Sequence, residues 1–178
     1  EVNQYTVETA FSNYLEKLGE VAHLEIAGFY QEDDGDNTIV HVFARTPGAE
    51  PYLYYYRRYD YHQWTPWEKV DLDIQGDYLI PAVVNRRLFL FWPVFTEVPT
   101  PGLPTSPPDK TKKILRMQMA FSEYRQRKWA PKKVSKDHGE SESYTGEIIS
   151  KYYRFFPIDR SDLDGRFYIM YEGWSYDQ

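Results

Sequence analysis

The stretch Trp64-Thr65-Pro66-Trp67-Glu68-Lys69-Val70 recurs later in the chain as Trp129-Ala130-Pro131-Lys132-Lys133-Val134. Each copy follows a tyrosine-containing strand pattern and a short basic turn, so each stands as the fourth strand of an antiparallel set. Two four-stranded sets, with a third begun after them, predict a mainly β fold of antiparallel meanders, as in part of a β-propeller.

Alternating side chains place further strands on both sides of the repeated motif. From Thr38 to Arg45, the side chains of Ile39, His41 and Phe43 fall on one face of the strand and the side chains between them fall on the other. Clusters of Gly, Pro, Asn and Asp separate the strand patterns, as turns require. The predicted strands span residues 24–30, 38–45, 51–59, 64–72, 77–84, 87–95, 112–124, 128–134, 148–157 and 165–172.

The remaining segments complete the predicted domain organisation. Residues 6–22 carry apolar side chains at helical spacing and predict one N-terminal amphipathic helix, so residues 1–23 are expected to link the domain to the rest of a longer chain. Residues 24–178 are expected to form the β domain. A proline-rich loop over residues 98–109 and a polar, mobile loop over residues 136–146 interrupt it.

Composition excludes several classes of function. The 178 residues contain no cysteine, which removes disulfides, thiolate metal sites and cysteine nucleophiles. The formal net charge of −6 disfavours non-specific binding to nucleic acid. Aromatic residues make up 18% of the chain. They fit half-buried strands, and they also make contact surfaces because tyrosine and tryptophan have an apolar body and a polar tip.

The sequence carries no familiar catalytic or metal-binding motif. Its acidic residues fall in turn segments without the defined pairing that a glycosidase needs. The oxygen-rich segment from Asp159 to Gly165 lacks the glutamate and the flanking helices of an EF-hand. The histidines are scattered, and His41 is predicted to be a partly buried, hydrogen-bonded side chain that titrates near neutral pH. We therefore expect no enzymatic activity, no bound metal and no cofactor.

Charged residues of opposite sign are segregated along the chain. Acidic residues concentrate in the turn between the first two predicted strands, and basic doublets recur beside later turns. Such segments are either solvated or form complementary contacts, within the chain or across a subunit boundary. The candidate contact residues are Asp33, Asp34, Asp36, Arg57, Arg58, Arg86 and Arg87.

The aromatic strand motifs resemble a known family. The motifs are Tyr54-Tyr55-Tyr56-Arg57-Arg58-Tyr59, the stretch from Trp64 to Ile74, Leu79-Ile80-Pro81, and Arg87-Leu88-Phe89-Leu90-Phe91-Trp92-Pro93. They resemble the neuraminidase-like region of the A component of bacterial insecticidal Tc (ABC) toxins, and the resemblance covers nearly the whole chain. It implies a partial, sialidase-like β domain. Because the repeated Ser-x-Asp-x-Gly-x-Thr-Trp box of sialidases is missing, it does not imply sialidase activity.

The resemblance also implies a structural role in a large assembly. Tc toxin A components form homopentamers in which a shell surrounds a translocation channel, and charged contacts between protomers near the target membrane hold the shell closed until the pH changes. The chain is therefore expected to be a non-catalytic gating domain of a secreted or cell-surface toxin that acts at the host membrane. Its expected partners are copies of itself and, through other parts of the protein, the B and C components. The alternative is a module that binds a glycan or receptor of the host-cell surface, and a third, less favoured alternative is sialidase activity.

Overall fold

The computed structural model describes most of the expected β domain. It covers residue 19 and residues 21–48, 50–76, 78–100, 112–142, 153–160 and 166–173. The chain divides into two compact units, Glu1–Asp71 and Leu72–Gln178. The helix predicted over residues 6–22 lies almost wholly outside the described residues and is not supported by them. Only Gly19, Val21 and Ala22 of that segment are described, with helical backbone.

The first unit contains one antiparallel sheet of five strands. These are β1 (Glu25–Asp34), β2 (Asn37–Arg45), β3 (Tyr54–Asp60), β4 (Gln63–Trp64) and β5 (Glu68–Lys69). The strand order is β1-β2-β3-β4, and β5 also pairs with β3. Consecutive strands are therefore neighbours, which makes the sheet a meander with β1 at one edge.

The second unit contains a six-stranded antiparallel sheet and a separate hairpin. The sheet consists of β6 (Ile80–Val84), β7 (Arg87–Pro99), β8 (Lys113–Arg125), β9 (Lys128–Trp129), β10 (Lys133–Val134) and β11 (Gly139–Glu140). Strands β6, β7 and β8 form a meander, and the three short strands all pair with β8. The hairpin consists of β12 (Tyr153–Arg160) and β13 (Arg166–Gly173). Two meanders and a further hairpin confirm a mainly β fold of antiparallel meanders, although the two sheets have five and six strands and not the predicted four. The partial, propeller-like arrangement stays a prediction.

The repeated tryptophan motif forms the same structure in both units. Trp64 is paired with Tyr59 across the sheet, and their ring centroids lie 5.1 Å apart. Trp129 is paired in the same way with Tyr124, at 5.0 Å. A proline follows in each copy and ends the strand, since it has no N–H group for the ladder. The single strands predicted over residues 64–72 and 128–134 are consequently each two short strands.

Three other segments that were predicted as loops contain more strand than expected. Strand β1 continues to Asp34, so the acidic turn predicted over residues 31–37 shrinks to Gly35 and Asp36. Strand β7 continues to Pro99, where Val98 pairs with Ile114 of β8. In the loop predicted over residues 136–146, Gly139 and Glu140 pair with β8. Residues 101–109 and 143–146 of these loops lie outside the described residues.

The tyrosine-rich strand β3 lies in the core of the first unit. Phe43 and Ala44 of β2 are fully buried, and Tyr54, Tyr55 and Tyr56 are at most 5% exposed. Both faces of the sheet are thus covered at its centre, because neighbouring residues of a strand point to opposite faces. These three tyrosines pack the fold, which leaves them unavailable as a sugar-binding surface.

Candidate functional site

A buried polar cluster joins three strands of the first unit. His41 on β2 is 5% exposed. Its Nδ1 atom lies 2.9 Å from Oη of Tyr56 on β3, and its Nε2 atom lies 3.2 Å from Oε2 of Glu32 on β1. The three side chains share one face because the antiparallel register places alternate residues of adjacent strands side by side. His41 therefore ties the edge strand to the centre of the sheet.

The two contacts select one neutral tautomer of His41. An ionised Glu32 can only accept hydrogen bonds, so Nε2 carries the hydrogen and donates it to the carboxylate. Nδ1 is then the acceptor of the Tyr56 hydroxyl hydrogen. Protonation of His41 puts a second hydrogen on Nδ1, and the Tyr56 hydroxyl must then accept at this position and turn its own hydrogen elsewhere. Taking up a proton thus rearranges the cluster.

Burial makes His41 harder to protonate. Removal from water disfavours the charged ring and lowers the pKa of His41 below its ordinary value, although the hydrogen bond and the charge of Glu32 oppose this shift. On β3, the positive charge of Arg58 lowers the pKa of His41 further, and the negative charge of Asp60 raises it. His41 is therefore neutral at pH 7 and becomes charged, inside the sheet, in more acidic solution.

The polar cluster continues toward the tip of the first hairpin through Asp60. Asn37 Nδ2 donates a hydrogen bond to Asp60 Oδ1 at 2.8 Å, and Arg58 Nη2 lies 3.2 Å from Asp60 Oδ2. Arg58 was predicted to contact an acidic segment, and the structure gives it this partner within its own unit. Its side chain is still 47% exposed, so it can also face solvent or another molecule.

Arg57, the other half of this basic doublet, lies on the opposite face of β3. Its guanidinium carbon is 4.3 Å from the ring centroid of Trp64 and 4.3 Å from that of Trp67. Its Nε atom is buried and has no hydrogen-bond partner among the described residues. Two indole rings thus hold this cation through cation–π contacts instead of a carboxylate.

The other predicted contact residues occupy hairpin ends in both units. Asp33 accepts a hydrogen bond of 3.3 Å from Gln31, and Asp36 is exposed in the adjoining turn. The side chain of Asp34 lies outside the described structure. In the second unit, Arg86 is exposed in a turn, and Arg87 Nη1 lies 3.4 Å from Oε1 of Glu123.

His41 was predicted to be partly buried and hydrogen-bonded. The hydrogen bonding is confirmed and the burial is deeper than predicted, but the partners of His41 were not identified. Glu32 lay in a segment that was interpreted as a turn, and Tyr56 was one of many tyrosines. The sequence did contain one signal for Glu32: in a β-hairpin, a residue shortly before the turn lies beside a residue shortly after it. Using this signal requires the pairing register of the hairpin, and the register was hidden because the acidic residues were interpreted as part of the turn.

The described residues contain neither a cluster of metal-ligating side chains nor a helix that could cross a membrane. There, no group of three or more His, Asp or Glu side chains is placed to hold a metal ion. No helix among the same residues is long and apolar enough to cross a membrane. The candidate site consists of the titratable cluster around His41 and of Arg57, which two tryptophans hold on the opposite face of β3.

Comparison with known proteins agrees with this fold. The model of the neuraminidase-like domain family matches residues 24–161. A cryo-EM structure of TcdA4 from Morganella morganii matches with a TM-score of 0.60 and 19% sequence identity over 88% of this chain, which spans 7% of the length of TcdA4. A search of curated proteins gives no match. Since the family model covers most of the chain and both meanders, the chain belongs to the neuraminidase-like domain family, in agreement with its resemblance to that region of Tc toxin A components.

Proposed function

We propose that this domain is a non-catalytic structural part of a Tc toxin A component, in which charged contacts between protomers and the buried His41 cluster make the assembly respond to pH. The observation that carries the proposal is the position of His41. It contacts Glu32 of the edge strand β1, and this strand carries Asp33 near its end and leads directly into the turn that carries Asp36.

The proposed response begins with protonation of His41 in acid. A charged ring inside the sheet is less stable than the neutral ring, and the Tyr56 hydroxyl loses its acceptor. Strand β1 is held in the described structure by β2 alone, so the end of this hairpin loosens first. The acidic end of the hairpin then moves relative to a basic surface of the neighbouring protomer, such as the one around Arg86, and the charged contact between them weakens.

The test of this proposal uses the assembled toxin subunit and the pH at which it forms pores in lipid vesicles. Arg86→Glu combined with Arg87→Glu reverses charge at one turn, and His41→Gln removes the titratable ring. We expect each change to move the threshold pH. Arg125→Glu with Arg127→Glu is the matched control, because it makes the same charge change at the two-residue turn between β8 and β9.

Each outcome has a defined meaning. An unchanged threshold in the Arg86 and Arg87 variant removes these residues from the contact. An unchanged threshold in His41→Gln removes the buried cluster from the pH response. An equal shift in the control shows that added negative charge alone moves the threshold. Turnover of a fluorogenic sialoside by the wild-type chain would contradict the non-catalytic role, and we expect none above the buffer rate.

Exposed aromatic side chains favour a second function, binding to a host-cell glycan or receptor. Tyr61 is 74% exposed and Trp64 is 47% exposed. Tyr61 also has a left-handed backbone, with φ of 44°, which a large side chain adopts at some cost in energy. A glycan array tests this candidate: binding that is lost in Tyr61→Ala supports it, and an array without any bound glycan removes it.

A further inference from the structure

A cavity of about 410 Å³ lies in the second unit, apart from the His41 cluster. Strand β8, the segment 135–139 and the hairpin β12–β13 supply its walls. This volume falls in the range of small-molecule sites, which are about 300–1,000 Å³. Five phenylalanine and tyrosine side chains line it: Phe91, Phe155, Phe167, Tyr168 and Tyr171.

Neighbouring side chains hold the aromatic walls in place. Phe91 stacks on Phe167 with ring centroids 5.3 Å apart, and Phe155 contacts Tyr78 at 5.7 Å. Tyr171 lies directly against Gly139, where a Cβ atom would be 2.6 Å from the Tyr171 hydroxyl oxygen. The missing side chain at Gly139 thus makes room for this ring at the cavity wall.

The polar groups around the cavity leave one charge without a partner. Gln118 donates a hydrogen bond of 2.9 Å to the Ser135 carbonyl oxygen, and His138 Nε2 lies 3.2 Å from Glu140 Oε1. Asp137 also lines the cavity and is exposed. Within the described residues, no hydrogen-bond or ion-pair donor contacts its carboxylate. The unpaired charge at this cavity is therefore negative.

We propose that this cavity binds an organic ammonium ion of the trimethylammonium class, such as the choline group. Aromatic rings attract a cation through the negative charge of their faces, and a quaternary ammonium needs no hydrogen-bond acceptor. Asp137 balances its charge at the wall, and the thioethers of Met117 and Met119, which also line the cavity, contact its methyl groups. The side-chain nitrogen of Gln118 and the hydroxyl of Ser135 already bond to protein atoms, which leaves fewer hydrogen-bonding groups for a neutral, polyhydroxylated ligand.

The test compares two ligands of the same shape on the whole 178-residue chain. Choline carries a quaternary nitrogen, and 3,3-dimethyl-1-butanol has a neutral carbon at that position. Isothermal titration calorimetry measures both. We expect choline to bind about tenfold more tightly, the factor that a partly desolvated cation–π contact supplies. Equal affinities would overturn the proposal and make the cavity a purely apolar site, and so would the absence of choline binding.

Two variants locate the binding. Asp137→Asn removes the exposed charge without removing packed atoms, and Tyr171→Leu removes an aromatic wall at a residue that is 45% exposed. Both should weaken choline binding several-fold, whereas Asp36→Asn, an exposed carboxylate of the first unit, should not. Wild-type affinity in both cavity variants would overturn the proposal.

A competition experiment between choline and phosphatidylcholine vesicles identifies the source of the ligand. Displacement of the protein from the vesicles by choline indicates a lipid headgroup, and binding of free choline without binding to the vesicles indicates a soluble cation.

Discussion

Replacing His41 by Gln should flatten the dependence of stability on pH in mildly acidic solution. In the folded chain the pKa of His41 is lowered from the ordinary value of 6.5, while the unfolded chain retains that value. Between these two pKa values the unfolded chain binds more protons, so the free energy of unfolding rises with pH. The stabilisation is fully present above about pH 6.5 and is lost as the pH falls through the folded pKa.

The His41→Gln variant should change the free energy of unfolding in two ways, one that depends on pH and one that does not. One proton changes the free energy of unfolding by at most about 1.4 kcal/mol per pH unit, and this contribution to the slope disappears in His41→Gln. The variant also loses the ring that lies over Tyr56, with centroids 6.1 Å apart, and the acceptor of the Tyr56 hydroxyl. That loss costs about 1–3 kcal/mol and is the same at every pH.

Urea unfolding followed by tryptophan fluorescence, repeated from about pH 5 to about pH 8, separates the two magnitudes. The difference between wild type and His41→Gln should shrink toward low pH and stay constant above neutrality. His62→Asn is the matched control, because His62 is exposed and has a left-handed backbone, with φ of 63°, that Asn tolerates. A constant difference over the whole range would refute the assignment of the pH dependence to His41.

Three further changes test the packing and the turns by urea or thermal unfolding. Phe43→Ala opens a cavity at a fully buried site and should lower the free energy of unfolding by about 3–5 kcal/mol. Phe29→Ala, at a residue that is 69% exposed, should lower it by about 0.5 kcal/mol or less, and equal losses in the two variants would contradict the assignment of the core. Ser122→Ala removes a hydrogen bond of 2.6 Å to the Ala130 carbonyl oxygen and should cost about 1–3 kcal/mol, and a neutral result would show that this bond contributes nothing. Arg86→Gly should raise stability by about 0.5–1 kcal/mol because φ at Arg86 is 61°, and a lower melting temperature would argue against strain in this turn.

The sequence predicts the strands well where alternation and turn signals coincide. Strand β2 was expected over residues 38–45 and spans Asn37–Arg45, and Asn85-Arg86 is the expected turn. Strand β7 was ended too early, at residue 95, because the prolines from Pro99 onward argue against a ladder. Its partner β6 pairs only as far as Phe91, so the later part of β7, including Pro99, has no ladder partner on that edge in the described sheet. Whether a proline is tolerated in β7 depends on where the neighbouring strand β6 ends, and the local sequence of β7 does not give that position.

The candidate site shows the same limit at the level of side chains. Arg57 and Arg58 are adjacent, so the period of a strand already predicts that they point to opposite faces. Their partners depend on contacts made by other strands. Trp64 reaches Arg57 only because β4 turns back along β3, and Asp60 meets Asn37 only through the register of β2 with β3. The sequence suggests that Arg57 and Arg58 form one basic contact surface, but the two arginines take part in two separate sites on opposite faces of β3.

The two copies of the repeat show how much of the side-chain chemistry is independent of the shared backbone. Arg57 and Ser122 each stand seven residues before the tryptophan of their motif. Arg57 lies over two indole rings, whereas Ser122 donates a hydrogen bond to the backbone at Ala130. At the place of Trp67, the second copy has Lys132, which binds the carboxylate of Asp73 at 2.6 Å. The short strands form in both copies, so neither set of contacts in particular is required for this backbone arrangement. The arginine held by two tryptophans is therefore a feature of the first copy that the shared backbone does not demand.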